Sequence, residues 1–459
     1  MIHFAIHNAI SRIVAPFEIF KAISDICSFE MQGAEHAKKQ GGISKYWDGR
    51  IRLLKKDGSF PTGLLNLIIA YLQEREIKYT IEDLRQVPLK TINLELWKNG
   101  HSDSALDWQY RYYQNEGIEL TSGHPRGVYV LGTGGGKSLM LAGIAARLGV
   151  PALVLTPDKG LREQFYETCV TRAFKNAEEH VGRDISAQPN ILITHYHALD
   201  KSDPNLFLKY RALLIDEFHH AAAKSYINIQ QRCVNAYYRY GFTGTFLRTD
   251  GADMIMHGVL SNVIFKKTTS ELIDEGFLVK PLITMLRHKV SRYPTNFMKT
   301  YDALTKDEEV NQMIAATADE KIQQKKQTLI LVRFKEHGRL LNSLINGSVF
   351  VSGDDSVNYR EQIKKDFNDS KINCLIATSV FGEGTDIPSI DALINARFEK
   401  TEIQTRQGIG RALRKAPNKE FADITDFLIL GQKHLANHSA ERLQSYRKEP
   451  AFEINVKHP

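Results

Sequence analysis

Residues 132–138, Gly-Thr-Gly-Gly-Gly-Lys-Ser, place four glycines, a lysine and a hydroxyl directly behind the apolar run VYVL. Gly132, Gly134, Gly135 and Gly136 let backbone N–H groups turn inward around phosphate oxygens. Lys137 supplies a point charge for the outer phosphates, and the Ser138 hydroxyl can ligand Mg²⁺. A helix that starts there adds the positive end of its dipole. The full G-x-x-x-x-G-K-[ST] spacing fails at its first position, which is Leu131.

A second cluster, LLIDEFHH at 213–220, sets Asp216, Glu217, His219 and His220 behind another apolar run. His219 and His220 are adjacent, not four apart on one helix face, and no cysteine is near, so zinc is the weaker reading. An apolar strand ending in an acid downstream of a phosphate loop suits Mg²⁺ at Asp216. Glu217 is then placed to orient and deprotonate an attacking water.

These residues need strands to carry them. Short β-branched runs (GVYVL, ALVLT, ILIT, ALLID, TLILV, VFVSG, NCLIAT, DALINA, ADITDFLIL) alternate with helical patterns from about 107 to 430, which predicts repeated βαβ units and parallel sheets. That is too many strands for one sheet, and the charged, helix-prone stretch at 286–326 divides them. The expected fold class is α/β: two parallel-sheet lobes, 106–284 and 285–459, after a small α/β domain at 1–105. Within that first domain, IRLLKKDGSFPTG reads as a hairpin turning at Asp57 and Gly58, LLNLIIAYLQER as a helix and IKYTIE as a strand. The stretch LANHSAERLQSYRKE has the spacing of a terminal helix.

The 459 residues, 42% hydrophobic and 25% charged, are ordinary for a globular chain of two or three domains. A net charge of +7 suits a polyanionic partner without requiring one. Cys27, Cys169, Cys233 and Cys374 are isolated, with neither zinc spacing nor a disulfide framework, which fits a reducing cytoplasm. No apolar run approaches 18 residues and the start lacks signal-peptide character, so neither membrane nor secretion is expected.

Read in order, the motifs resemble those of superfamily 2 helicases. Gly132 to Ser138 resembles motif I, and Asp216-Glu217-Phe218-His219 resembles motif II in its D-E-x-H form, with His219 among the catalytic residues. YRYYQ is similar to the adenine-reading segment, which implies that Gln114 hydrogen-bonds the base and Arg111 packs on it. LTPDKGLREQF and ILITHYHAL resemble the segments that put Thr156 and Thr194 near nucleic-acid phosphates, although a hydroxyl at a strand end is by itself more often a cap. GFTGTFLR resembles motif III, where Thr243 and Thr245 couple the ATP site to the strand-binding surface. LILVRFKEHGRLL and FVSGDDSVNYREQI are similar to motif IV and the segment after it. IATSVFGEGTDIP resembles motif V, with Thr378 near phosphate and Gly384 and Asp386 near the nucleotide. QGIGRALRK resembles motif VI, which makes Arg411 and Arg414 arginine fingers that neutralise charge as the γ-phosphoryl leaves. With Thr133 in the loop, the resemblance implies ATP and Mg²⁺ as cofactors.

The ends narrow the resemblance. SFEMQG, YWDGRIRLLKKDG and PTGLL, with HSAERLQSYRKE near the end, look like the phage UvsW-type branch-migration helicases. That resemblance implies two RecA-like lobes, unwinding or branch migration of forked, single-stranded or four-way DNA, possible recombination or replication partners, and residence in the cytoplasm, that of the host if phage-encoded. A monomer is expected. Trp47 with Arg50 and Arg52 interleaves a stacking surface with positive charge, as a DNA contact would; the alternative is an amphipathic hairpin with Trp47 in its core. The rival functions are an RNA helicase, a duplex translocase without unwinding, and a nucleotide-gated clamp or annealing protein.

Overall fold

Ile2, Phe4 and Ile6 are buried and alternate with less buried neighbours, the period of a strand with one face on a core. The structure is a computed structural model and describes residues 1–31, 47–96, 110–218, 224–244, 253–291, 294, 296–378, 390–399, 409–410, 412–416 and 419–458. The chain opens with β1 (Ile2–Ile6), β2 (Ile10–Val14), β3 (Ser28–Glu30), β4 (Arg50–Arg52), β5 (Ser59–Pro61) and β6 (Tyr79–Asp83). Four of these form a mixed sheet in the order β5-β2-β1-β6, with β1 antiparallel to β2 and parallel to β6. The helices Phe17–Ile26 and Leu65–Glu74 bring Ile23, Ile68 and Leu72 onto Phe4 and Phe60 in a core of their own.

The expected hairpin at Asp57 and Gly58 is corrected. The turn is present, with Gly58 at φ 81° and its N–H donating to Lys55 O at 3.0 Å. However, β5 pairs with β2, while β4 pairs with β3 in a separate two-stranded sheet. The physical reason is burial: Phe60 belongs to the core under β1 and β2, so β5 is taken by that sheet.

The first lobe consists of β7 (Arg126–Leu131), β8 (Ala152–Thr156), β9 (Val181–Gly182), β10 (Ile191–His195), β11 (Ala212–Ile215), β12 (Tyr238–Thr243) and β13 (Val263–Lys267), in the order β13-β7-β12-β11-β8-β10-β9. From β7 through β9 the neighbours are parallel. β8 and β11 are buried at every residue, as strands covered on both faces must be.

In the second lobe, β14 (Lys280–Lys289), β15 (Thr328–Val332), β16 (Ser348–Val351), β17 (Cys374–Ala377), β18 (Ala392–Ala396), β19 (Phe421–Leu430) and β20 (Glu453–Lys457) pair in the order β16-β17-β15-β18-β19-β14-β20, all parallel. The charged stretch before β15 forms the helices Phe297–Lys306 and Glu308–Gln323, whose N-termini are capped by Asn296 and Asp307 side chains accepting backbone N–H groups. The helix Lys433–Arg447 docks through Arg442, whose buried guanidinium donates to Asp426 at 3.0 Å. The two lobes are therefore the α/β pair expected.

The expected boundary at 284/285 falls inside β14 and needs correction. β14 is the longest partner of β19 and belongs to the second lobe from Lys280. Packing divides the chain into Met1–Leu131 with Gly136–Lys266, and Gly132–Gly135 with Lys267–Pro459. The first 96 residues thus pack with the first lobe while keeping their own sheet; the boundary expected at 105/106 lies outside the described residues. All four cysteines are buried free thiols. Among the described residues, no helix is long and apolar enough to cross a membrane.

Candidate functional site

At the C-terminal end of β7 the backbone must reverse into the helix Lys137–Leu148, and it does so through left-handed glycines, Gly134 at φ 85° and Gly136 at φ 83°. Gly136 also has no room for a side chain, because a Cβ there would lie 2.3 Å from Gln114 Nε2. Gln114 is buried, and its Oε1 accepts the backbone N–H of Arg111 at 2.9 Å, closing the first turn of the helix Tyr112–Glu119. Arg111 donates from its guanidinium to Tyr113 Oη at 2.8 Å. The adenine-reading residues expected from sequence thus stand directly against the glycine loop.

The β11 strand ends at Ile215 and delivers Asp216 and Glu217, both buried. Asp216 Oδ1 accepts the backbone N–H of Glu217 at 3.0 Å, and Lys137 Nζ donates to Glu217 Oε1 at 2.8 Å. That salt bridge joins two residues eighty positions apart, with only about a tenth of either side chain exposed. Glu217 sits at φ 45°, a left-handed conformation that costs a non-glycine residue about 1–3 kcal/mol and accumulates at functional sites. Phe218, next in sequence, is fully buried and fills the space above Gly241 of β12, where a Cβ would approach its ring to 2.6 Å. Sequence reasoning missed this pair. Its only signal was a glycine inside a strand pattern, which marks close approach.

Thr243 ends β12 and is fully buried opposite Val130 of β7, one residue before the loop leaves that strand. Thr156 ends β8, and Thr194 is next to last in β10. Both are wholly buried, and the Thr156 hydroxyl donates to Asp158 O at 3.1 Å. The Thr194 hydroxyl is buried with no partner among the described residues.

In the second lobe, Thr378 follows β17 and is buried, and Arg414 is half-buried. Beside Arg414, Lys419 donates to Ala412 O at 2.6 Å, and burial with the neighbouring guanidinium pulls its ammonium pKa down to about 8. His219, Thr245, Gly384, Asp386 and Arg411 lie outside the described residues. No three His, Cys, Asp or Glu side chains among the described residues converge as a metal cluster would require.

In the N-terminal domain, Trp47 is half-buried and its indole N–H donates to Arg50 O at 3.0 Å. Arg50 donates to Ser28 Oγ at 2.9 Å, and Arg52 pairs with Asp48 at 2.6 Å and Asp25 at 3.1 Å. Arg52 holds the Asp48 carboxyl down to about 2. Two carboxylates therefore compensate Arg52 within the domain.

A left-handed glycine loop at a strand end, a lysine on the following helix, and paired acids on the next strand but one define a P-loop nucleoside-triphosphatase with RecA-like lobes. The comparisons with known proteins agree. Residues 107–248 match the family "Type III restriction enzyme, res subunit", and residues 305–416 match "Helicase conserved C-terminal domain". The chain is 24% identical over 487 aligned positions to the ATP-dependent DNA helicase uvsW of Enterobacteria phage T4, covering 95% of each. It is 23% identical to the DNA 3'-5' translocase XPB2 of Sulfurisphaera tokodaii, over 67% of this chain and 79% of that one. The structure of the ATP-dependent Type ISP restriction-modification enzyme LlaBIII bound to DNA shares the fold at a TM-score of 0.57 and 12% identity, over 86% of this chain and 36% of that one. The two family matches together indicate a superfamily 2 helicase, and the chain is a nucleic-acid-dependent ATPase.

Proposed function

We propose that this ATPase is a DNA motor that unwinds or branch-migrates forked and four-way DNA in recombination, repair and replication restart. The observation that carries the reading is the buried Lys137–Glu217 pair beside Asp216, with Lys137 directly following the left-handed Gly136. Those residues fit a nucleoside triphosphate with Mg²⁺: Ser138 and Asp216 would hold the cation, Lys137 the outer phosphates, Gln114 and Arg111 the base. Bound there, Mg²⁺ supplies charge neutralisation for the developing phosphate oxygens.

The chain's own residues do the rest. Lys137 exchanges Glu217 for phosphate, and the freed carboxylate accepts the proton of the attacking water. Arg414, carried over from the family's motif with Arg411, neutralises charge on the leaving phosphoryl. Thr243, at the end of the strand between β11 and β7, transmits the state of the site. The DNA assignment is supported by the near full-length likeness to a DNA helicase and by the net positive charge.

The test is a panel of steady-state ATPase and strand-separation assays on single-stranded, duplex, forked and four-way DNA beside matched RNA. Stimulation and separation on branched DNA above all others is expected. Greater stimulation by RNA would make the chain an RNA helicase. Duplex-stimulated hydrolysis without separation would make it a translocase, and strand annealing without processive separation a clamp.

A further inference from the structure

A cleft of about 860 Å³ lies between the N-terminal sheet and the first lobe, away from the nucleotide residues. The β1–β2 turn contributes Asn8, the extended segment after β6 contributes Val87 and Leu89, and the lobe contributes Lys209, Arg211 and Val234. Arg211 immediately precedes β11, whereas Asp216 immediately follows it. The cleft is thus at the opposite end of the parallel sheet from the phosphate loop, roughly 13 Å along a four-residue strand.

Three properties of its lining select an occupant. The first is charge: Lys209 and Arg211 are bonded only to backbone oxygens among the described residues, Lys209 to Gln188 O and Arg211 to Leu208 O at 2.6 Å, and no carboxylate lines the cleft. The second is exposed aliphatic surface, 64% at Val87, 83% at Leu89 and 48% at Val234, more than a chain leaves open without reason in one place. The third is an acceptor: Asn8 donates to Val234 O at 3.0 Å, but its Oδ1 is buried with no partner among the described residues. Among the described residues no Phe, Tyr or Trp lines the cleft, and none offers a platform on which nucleobases could stack. Cations, aliphatic surface and an unused amide acceptor match an extended polypeptide with carboxylates and aliphatic side chains.

We propose that this cleft docks an acidic, aliphatic-rich segment of a partner protein, leaving the nucleotide residues free to turn over. The probe is a fluorescein-labelled synthetic peptide of glutamate and leucine, titrated by anisotropy against the full chain, with a lysine-for-glutamate peptide and a single-stranded oligonucleotide beside it. Saturable binding of the acidic peptide is expected, weakened about tenfold or more by Lys209→Glu with Arg211→Glu and separately by Val234→Asp. Melting curves and ATP hydrolysis without nucleic acid should match the parent in both variants, which shows that the fold and the ATPase reading stand apart from the cleft. The proposal is overturned if the acidic peptide does not saturate, or if it binds the charge-reversed variant as tightly as the parent. It is also overturned if the oligonucleotide displaces the peptide and itself loses affinity in that variant, which would make the cleft a nucleic-acid site.

Discussion

Glu217 is held by two opposing demands: its backbone is strained, and its carboxylate is committed to Lys137. A residue kept in this way at the end of β11 is poised to be released by a competing anion. Glu217→Gln should therefore bind a fluorescent ATP analogue at least as tightly as the parent, since Lys137 no longer has a carboxylate to leave. Its turnover should fall by about 10² to 10⁴, because an amide cannot accept the water's proton. Turnover at the parental rate would refute the assignment. Lys137→Ala should show the opposite pattern in the same titration, losing affinity together with rate. For Arg414, replacement by Ala should reduce turnover by about 10³ or more with modest loss of affinity, and Lys should rescue little because it lacks the planar fork. Parental kcat in Arg414→Ala would remove it from the finger role.

At the scale of an element, the helix Lys335–Leu344 is tied to the helix Glu308–Gln323 through His337, whose Nε2 donates to Asn311 Oδ1 at 2.9 Å. His337 Nδ1 is buried with no partner among the described residues, so a second ring proton there would have no acceptor. Burial lowers the His337 pKa to about 4. Between about pH 6.5 and 4 the unfolded chain binds a proton that the folded chain refuses, so stability should rise with pH across that window and be lost as pH falls. The size is of order a few kcal/mol. Urea melts of the parent and of His337→Gln at pH 7 and pH 5 check this. The variant should lose less stability between the two values, and equal losses would show that another group governs the acid limb.

On the scale of the whole molecule, the N-terminal domain is joined to the first lobe by specific contacts. Asn66 Nδ2 donates to Ser261 Oγ at 3.2 Å, Arg126 donates to Asn8 O at 2.7 Å, and Gly63 has no space for a Cβ beside His257 O. The domain is therefore carried with the lobe and not on a free tether. Its aromatic hairpin is paired internally, which changes the expectation for DNA. Trp47→Ala with Arg50→Ala and Arg52→Ala should lower the melting temperature and leave the salt dependence of four-way-junction binding near that of the parent. Removing a cation that neutralises a duplex phosphate would instead reduce the slope of log K against log salt by about 0.9. A reduced slope with an unchanged melting curve would restore the hairpin as a DNA-binding element.

The sequence by itself was enough for the strand, glycine loop and helix at 126–148, for the acids at 216 and 217, and for the two-lobed α/β class, because these depend on local patterns. Consecutive glycines permit left-handed turns, and short all-apolar runs rich in β-branched residues suit strands covered on both faces. β1 is also legible in the alternation of Ile2, Phe4 and Ile6. The tertiary structure alone decided what depends on which strands become neighbours. It sent β4 and β5 to different sheets, gave β14 to the second lobe, put Phe218 over Gly241, buried Thr156 and Thr194, and matched Arg52 with two carboxylates. A residue's neighbours in the chain set its backbone and periodicity, whereas its partners across a sheet or a core are set by competition among all segments for the same buried surface.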